Sequence, residues 1–202
     1  MVGRALAGAF AAAGHEVRVG TRDVSDSSSR DELGGFELAT FAVAAASAEV
    51  VVNATSGDVS LAVLDAAGHD NLAGKVLIDV ANPLDFSQGM PPLLSICNTD
   101  SLGELIQATF PETRVVKALN TMNADLMVDP RSLAAGDHSV FICGNDADAK
   151  STVAGLLREL GHRDVVDLGD ITCARGTEMY LPLWLRLMGA LGTANFNVKV
   201  VR

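Results

Sequence analysis

Short apolar runs alternate along the chain with longer stretches in which apolar residues recur at helical spacing. The runs at 49–54 (EVVVNA), 75–81 (KVLIDVA) and 113–119 (TRVVKAL) are almost continuously apolar, which is typical of strands buried on both faces of a parallel sheet. Further strands are predicted at 15–21, 36–40, 138–144 and 165–168, and helices at 3–13, 60–68, 101–110, 147–160 and 173–191. The alternation predicts an α/β fold with a mainly parallel sheet.

The turn-forming residues between 120 and 137 suggest a boundary within the chain. Asp129-Pro130 and Ala135-Gly136-Asp137 interrupt the pattern there. We therefore predict a first domain over residues 1–121 and a smaller, helical C-terminal portion over 122–202. The strands at 138–144 and 165–168 could equally extend the first sheet.

Composition narrows the class of protein. The 202 residues include 49% hydrophobic residues, enough for a sizeable core, and the net charge of −10 disfavours nucleic acid as a partner. The longest apolar stretches fall short of the roughly 20 residues that a membrane-spanning helix needs. Three cysteines without CxxC spacing indicate reduced thiols and no metal site. We expect a soluble, cytoplasmic protein without a membrane partner.

The start of the chain shows part of a nucleotide-binding pattern. A dinucleotide site places a glycine-rich turn between a strand and a helix whose free amide groups face the pyrophosphate. Met1, Val2 and Gly3 stand where the second half of that turn would be, directly before the first predicted helix. Gly3 is also explained by ordinary helix packing, so this signal is weak by itself.

The end of the second predicted strand carries a sharper signal. An NAD-specific site presents an acidic residue to the ribose 2′-hydroxyl at this place, whereas this chain has Thr21 and Arg22. A hydroxyl and a guanidinium suit a 2′-phosphate, because arginine binds phosphate through two parallel hydrogen bonds. The alternative is a solvated arginine paired with Asp23.

Polar residues follow three of the buried strands. Asn53, Ala54, Thr55 and Ser56 follow the first, Asn82 the second, and Asn120 and Thr121 the third. Ligands of open α/β sheets bind beyond the carboxyl ends of the strands, so these positions are candidate ligand contacts, although each asparagine could also serve a turn. No Ser-His-Asp, paired-carboxylate or Cys-His arrangement is evident, and we assign no catalytic residue.

Several of these segments together resemble one family. The segments are Val2–Gly3, Gly14 to Val17, Gly20 to Arg22, Asn53 to Ser56, Asp79 to Pro83, Val115 to Thr121, Val140 to Asp146, and Arg175 to Glu178 with the tail to Val200. Over nearly its whole length the chain is similar to the coenzyme F420-dependent NADP oxidoreductases.

The resemblance implies a doubly wound Rossmann domain, a small C-terminal portion, a homodimer, and hydride transfer between NADP(H) and the 5-deazaflavin coenzyme F420. It implies that Met1, Val2 and Gly3 match the phosphate turn, and Thr21 and Arg22 the 2′-phosphate site. It further implies that Asn53 to Ser56 match the ribose and nicotinamide region, and Asn120 and Thr121 the deazaflavin side of the cleft.

The hypothesis is therefore an NADPH-dependent reductase whose protein part mainly positions two ring systems. Two alternatives stay open. A reductase of a small carbonyl or imine would need a proton donor, for which Lys117 and Tyr180 are candidates. A non-catalytic NADP-binding subunit would fit the incomplete glycine pattern.

Two further expectations concern the ends of the chain. The central first strand of a doubly wound sheet is missing before the first helix, so we expect an apolar strand ending in Gly-x-Gly to be encoded upstream of Met1. The apolar segment 179–191 has leucines around most of a helix, so we expect it to be buried on more than one face by a partner subunit.

Overall fold

The predicted helices and strands occur in the predicted order, and the structure adds helices at 41–47, 69–72 and 124–128 and short strands at 84–85 and 93–94. The computed structural model describes residues 2–25, 33 and 35–202. The strands are β1 (Arg18–Thr21), β2 (Glu37–Thr40), β3 (Val50–Asn53), β4 (Val76–Asp79), β5 (Leu84–Asp85), β6 (Leu93–Leu94), β7 (Arg114–Ala118), β8 (Ser139–Gly144) and β9 (Asp164–Asp167). The helices are α1 (Val2–Ala12), α2 (Phe41–Ser47), α3 (Ser60–Ala67), α4 (His69–Leu72), α5 (Leu102–Thr109), α6 (Ala124–Val128), α7 (Ala147–Glu159), α8 (Ala174–Met179) and α9 (Leu181–Leu191).

A five-stranded sheet forms the centre of the molecule, with strand order β3-β4-β7-β8-β9. The pairs β3–β4, β4–β7 and β8–β9 are parallel, whereas β8 runs antiparallel to β7. The predicted mainly parallel α/β fold is confirmed. Because β8 and β9 continue the sheet, the boundary predicted at residue 121 falls within one sheet, and the C-terminal portion contributes strands as well as helices.

A second, two-stranded parallel sheet contains β1 and β2. Within the described residues, the two sheets share no strand ladder between β1 and β3. The strand that we expect upstream of Met1 stays a prediction.

Apolar side chains cover both faces of the five-stranded sheet. Alternate residues of β4 point to opposite faces, so Val76 and Ile78 join one core cluster with α1, α6 and α7, while Leu77 joins a second cluster with α2, α3 and α5. This two-sided packing explains the near-continuous apolar runs in the sequence.

The C-terminal helical segment is divided in two, and part of its apolar surface is exposed in the single chain. The helical segment predicted at 173–191 is divided at Tyr180 into α8 and α9, with Pro182 in the first turn of α9. In α9 the single chain fully buries Leu181, whereas Leu183 and Leu191 are each 56% exposed. The single chain therefore leaves part of α9 uncovered, and its burial by a partner subunit stays a prediction. No helix in the described ranges is long and apolar enough to cross a bilayer.

Candidate functional site

A cleft of about 260 Å³ lies where the carboxyl ends of β3, β4 and β7 meet. Loops after these three strands form its floor, and apolar side chains of the β5–β6 hairpin, α6 and α9 form its walls. The lining residues are Val2, Ala54, Thr55, Ser56, Gly57, Val80, Ala81, Asn82, Leu84, Phe86, Asn120, Met122, Asn123, Ala124, Met127, Leu181 and Trp184. This is the edge at which open α/β sheets bind their ligands.

The structure brings together half of the predicted site residues. Those that line the cleft are Val2, Ala54, Thr55, Ser56, Asn82 and Asn120. Gly3 lies just behind the lining, since a Cβ atom on it would be 3.6 Å from the Cβ of Ala54. Asn53 and Thr121 are buried beneath the surface. Thr21 ends β1 and Arg22 follows it, both outside the lining, and Met1 lies outside the described residues.

Asn53 organises the loop after β3. Its Nδ2 donates to Asp79 Oδ1 at 2.9 Å and to Ser60 Oγ at 3.0 Å, and its Oδ1 accepts from Thr55 Oγ1 at 2.7 Å. Ser60 Oγ in turn donates to the Ser56 carbonyl at 3.1 Å. Asn53 therefore fixes the shape of the cleft floor and does not itself line it.

Asn82 and Asn120 join the loops after β4 and β7. Asn82 Nδ2 donates to the Asn120 carbonyl at 2.9 Å, and Asn120 Nδ2 donates to Asn82 Oδ1 at 3.0 Å. Leu119, just before Asn120, is buried and has a φ of 64°, a conformation that non-glycine residues rarely adopt. This pairing fixes two uncharged polar side chains, Asn82 and Asn120, at the cleft.

Lys117, at the end of β7, lies opposite Asp79 in the β4–β7 register and is fully buried. Its Nζ lies 2.8 Å from Asp79 Oδ2 and 2.8 Å from Glu178 Oε1. Burial lowers the pKa of Lys117, but the charges and hydrogen bonds of the two carboxylates outweigh it and leave the pKa above its ordinary value. Lys117 does not line the cleft, so the structure does not support it as a proton donor there.

Trp184 forms one wall of the cleft and stacks on Phe196, with 5.3 Å between ring centroids. Its buried Nε1 has no hydrogen-bond partner among the described residues, nor does the buried Oγ1 of Thr121. Buried polar groups of this kind usually have a hydrogen-bond partner. Of the two residues, Trp184 lines the cleft, whereas Thr121 lies beneath its surface.

Tyr180, the other candidate proton donor, also lies outside the lining. Burial raises the pKa of its hydroxyl, and this hydroxyl has no hydrogen-bond partner in the described part of the chain. None of the described residues that line the cleft carries an ionisable side chain. The cleft suits a reaction in which the protein orients two groups without exchanging a proton with them.

Arg22 is exposed after β1, and no described carboxylate lies within ion-pair distance of it. The carboxylate of Asp23 instead accepts hydrogen bonds from the backbone N–H and the hydroxyl of Ser25, at 2.8 and 2.6 Å. The alternative in which Arg22 is held by Asp23 is therefore not observed.

Sequence reasoning missed the apolar walls and the buried ion network. Phe86, Leu181 and Trp184 lie far apart in the chain, and only tertiary packing brings them to the strand ends. The ion network did leave a signal: Asp79 and Lys117 are opposite charges inside the apolar runs 75–81 and 113–119, whereas the other charges, Lys75 and Arg114, stand near the start of each run. A charged side chain in a buried run needs a partner of opposite charge. Asp79 in β4 and Lys117 in β7 are such partners for one another.

A mainly parallel sheet covered on both faces, with a cleft at the carboxyl ends of its strands, defines a Rossmann-type α/β protein. Comparison with known proteins identifies the family. Residues 1–83 match the family model described as NADP oxidoreductase, coenzyme F420-dependent. The F420-dependent NADP reductase of Methanothermobacter marburgensis is 30% identical over 198 residues, which cover 92% of this chain and 87% of that protein. The chain belongs to the F420-dependent NADP oxidoreductase family, as the sequence predicts.

Two further similarities bear on this assignment. A crystal structure from Arthrobacter sp. FB24, of a protein assigned to the F420-dependent NADP reductases, is 63% identical, with a TM-score of 0.95 and coverage of 100% of this chain and 95% of that chain. The rat metalloreductase STEAP3 is 35% identical over 120 residues, 57% of this chain. This chain spans 22% of the length of STEAP3, so that likeness concerns one part of a longer protein.

Proposed function

We propose that the protein transfers a hydride between NADP(H) and coenzyme F420 or a similar flavin-like acceptor. The observation that carries the proposal is the cleft itself: in a member of this family, three strand ends converge on a site lined by amides, hydroxyls and apolar side chains. Hydride transfer between two rings depends on proximity and exclusion of water more than on an acid or base.

The residues of the cleft fit a nicotinamide nucleotide. Val2 places the first turn of α1 at the cleft, and the free amide groups of a helix start favour a pyrophosphate. Thr55, Ser56, Asn82 and Asn120 offer neutral hydrogen-bonding groups for a ribose and a carboxamide. When bound, NADP(H) would supply or accept the hydride, while the chain's own residues bind it, orient it and keep water out.

Thr21 and Arg22 would hold the 2′-phosphate in this proposal. Thr21 ends β1 and Arg22 follows it, and Arg22 has no carboxylate partner among the described residues. A guanidinium without an ion-pair partner is available to a phosphate dianion.

The apolar walls favour the deazaflavin over a small carbonyl or imine. Phe86, Leu181 and Trp184 offer a broad nonpolar and aromatic surface that suits a planar fused ring. A carbonyl or imine reductase needs a proton donor beside the acceptor, and none of the described lining residues is ionisable. A non-catalytic NADP-binding subunit remains the other candidate function.

We further infer a homodimer in the cytoplasm. Support for the dimer comes from the exposed leucines of α9, and support for a reducing compartment from Cys97, Cys143 and Cys173, all of which are free thiols.

One experiment separates these functions. NADPH is mixed with the protein and with F420, with a cyclic imine, or with neither, and its absorbance is followed, while calorimetry measures NADPH binding alone. We expect rapid oxidation of NADPH with F420 only, at a single-turnover rate that is flat between pH 6 and 9. Oxidation with the imine would support the carbonyl or imine reductase. NADPH binding without turnover of either acceptor would support the binding subunit.

A further inference from the structure

The ammonium group of Lys117 joins three separate parts of the chain beneath the cleft. Its three protons have three acceptors: Asp79 Oδ2 at 2.8 Å, the Ala81 carbonyl at 2.5 Å and Glu178 Oε1 at 2.8 Å. All three charged side chains are at most 1% exposed. Every donor on Lys117 is thus directed at a fixed position in β4, in the loop after it, or in α8.

The floor of the cleft is held from both sides by this network. Ala81 lines the cleft; its carbonyl accepts from Lys117, and its N–H donates to Asp79 Oδ1 at 3.2 Å. The same Asp79 oxygen accepts from Asn53, which orders the neighbouring loop. A displacement of Lys117 would therefore move the loops after β3 and β4, which carry candidate ligand contacts at Thr55, Ser56 and Asn82.

The wall of the cleft is held by the other end of the network. Glu178 in α8 accepts from Lys117 and from the N–H groups of Leu102 and Gly103, at 2.8 and 3.1 Å, at the start of α5. Leu181 and Trp184, which line the cleft, follow Glu178 by three and six residues. Glu178 thus fixes the start of the helix that forms the wall.

Stability alone does not explain this arrangement. Replacing a buried ion network by packed apolar side chains is often neutral or stabilising, because the desolvation of the charges offsets their attraction. What a fully hydrogen-bonded network provides is a defined geometry.

We propose that Lys117 is a positioning residue that sets the separation between floor and wall of the cleft by holding Ala81 and Glu178 together. For the rate of hydride transfer this inference rests on the proposed function. For the geometry of the protein without ligand, the inference is independent of the proposed function, because the fluorescence of Trp184 measures the position of the cleft wall directly.

The first test uses the protein without ligand. Trp184 is the single tryptophan of the chain, so its emission and its quenching by acrylamide report the position of α9. The test variants are Glu178→Gln, which leaves one oxygen for three donors, and Lys117→Met. The matched control is Glu104→Gln, which breaks the bidentate pair between Glu104 and Arg175 that also joins α8 to α5 but does not reach the floor. We expect both test variants, but not the control, to shift the emission and to raise the quenching constant at least twofold.

The second test measures single-turnover hydride transfer from NADPH to F420 and the Kd of NADPH. We expect Glu178→Gln to slow transfer by about 10- to 100-fold, the range for reacting groups displaced by about 1 Å, with a Kd changed less than threefold. A purely structural role would lower the melting temperature and leave both quantities unchanged in the folded protein.

The outcomes separate this inference from the proposed function. Wild-type protein that does not reduce F420 overturns the proposed function, and the tryptophan test then decides on the positioning role. If the test variants have a quenching constant and a transfer rate that are both within twofold of those of Glu104→Gln, the positioning role is overturned. If neither test variant folds, amide exchange in the wild type decides: the N–H groups of Ala81 and Leu102 should open with the same rate, and a tenfold difference would overturn the coupling.

Discussion

Gly57 packs so closely against Asn82 that a Cβ atom on Gly57 would lie 2.1 Å from the Asn82 carbonyl oxygen. Both residues line the cleft, one after β3 and the other after β4. The approach of these two backbones sets how near the two loops come, and only a residue without a side chain allows it.

Gly57→Ala should therefore destabilise the protein by about 1 to 3 kcal/mol, since backbone and not a flexible side chain must move. Thermal and urea unfolding measure the change. Gly155→Ala is the control: Gly155 lies in α7, and a Cβ there meets nothing within 4 Å, so that variant should gain about 1 kcal/mol from helix propensity. Equal stability of the two variants would contradict the contact.

Arg22→Ala should weaken NADPH binding by about 1.5 to 3 kcal/mol, the range for hydrogen bonds to a charged group, and leave NADH binding nearly unchanged. Calorimetry with both nucleotides measures the difference. Arg158→Ala, at the end of α7, serves as the control and should alter neither affinity. Equal losses for NADPH and NADH would show that Arg22 does not contact the 2′-phosphate.

The exposed face of α9 should join two copies of the chain. Leu183 and Leu191 are each 56% exposed, and exposed apolar faces of this kind mark interaction surfaces. Light scattering at micromolar concentration should give a dimer for the wild type and a monomer for Leu183→Asp combined with Leu191→Asp. Val43→Asp, at a residue 55% exposed on α2, should stay dimeric. A monomeric wild type would refute this prediction.

Asp164 should make the attachment of the C-terminal tail sensitive to acid. The Ser139 hydroxyl and, less strongly, Lys199 and Arg202 hold the pKa of its carboxyl below the ordinary value. Because the folded pKa is depressed, this stabilisation is present above the ordinary pKa of about 3.9 and is lost as pH falls through the folded value. Unfolding free energies between pH 7 and 3 should fall less steeply for Asp164→Asn than for the wild type. Parallel curves would exclude this contribution.

Local signals predicted most of the elements. The predicted helix at 101–110 begins with Ser101 and Glu104, which have the spacing of a capping box, and in the structure Ser101 Oγ accepts from the Glu104 N–H at 3.1 Å at the start of α5. The apolar runs located β3, β4 and β7 to within two residues at each end, because a strand buried on both faces needs apolar residues at every position.

Other features depend on contacts that local patterns do not contain. The antiparallel direction of β8 is fixed by its pairing with β7. An apolar run predicts a strand but does not indicate whether that strand pairs in a parallel or an antiparallel direction. The cleft walls come from Phe86 and Trp184, whose approach depends on how the β5–β6 hairpin and α9 pack. The asparagines at the strand ends were found, but which of them lines the cleft depends on side-chain hydrogen bonds, as the buried Asn53 shows.

Because β8 runs antiparallel to β7, one side of the molecule carries the cleft and the opposite side carries the loop from β8 into α7. Ala118 at the cleft end of β7 pairs with Ile142, whereas Gly144, the last residue of β8, pairs with Val116 farther back. The loop into α7 therefore leaves the sheet away from the cleft, on the side where the exposed Pro111 and Glu112 precede β7. The five residues of β7 separate that side from the ligand edge by about 16 Å. A dye or a surface tether coupled there would leave the cleft open to solution.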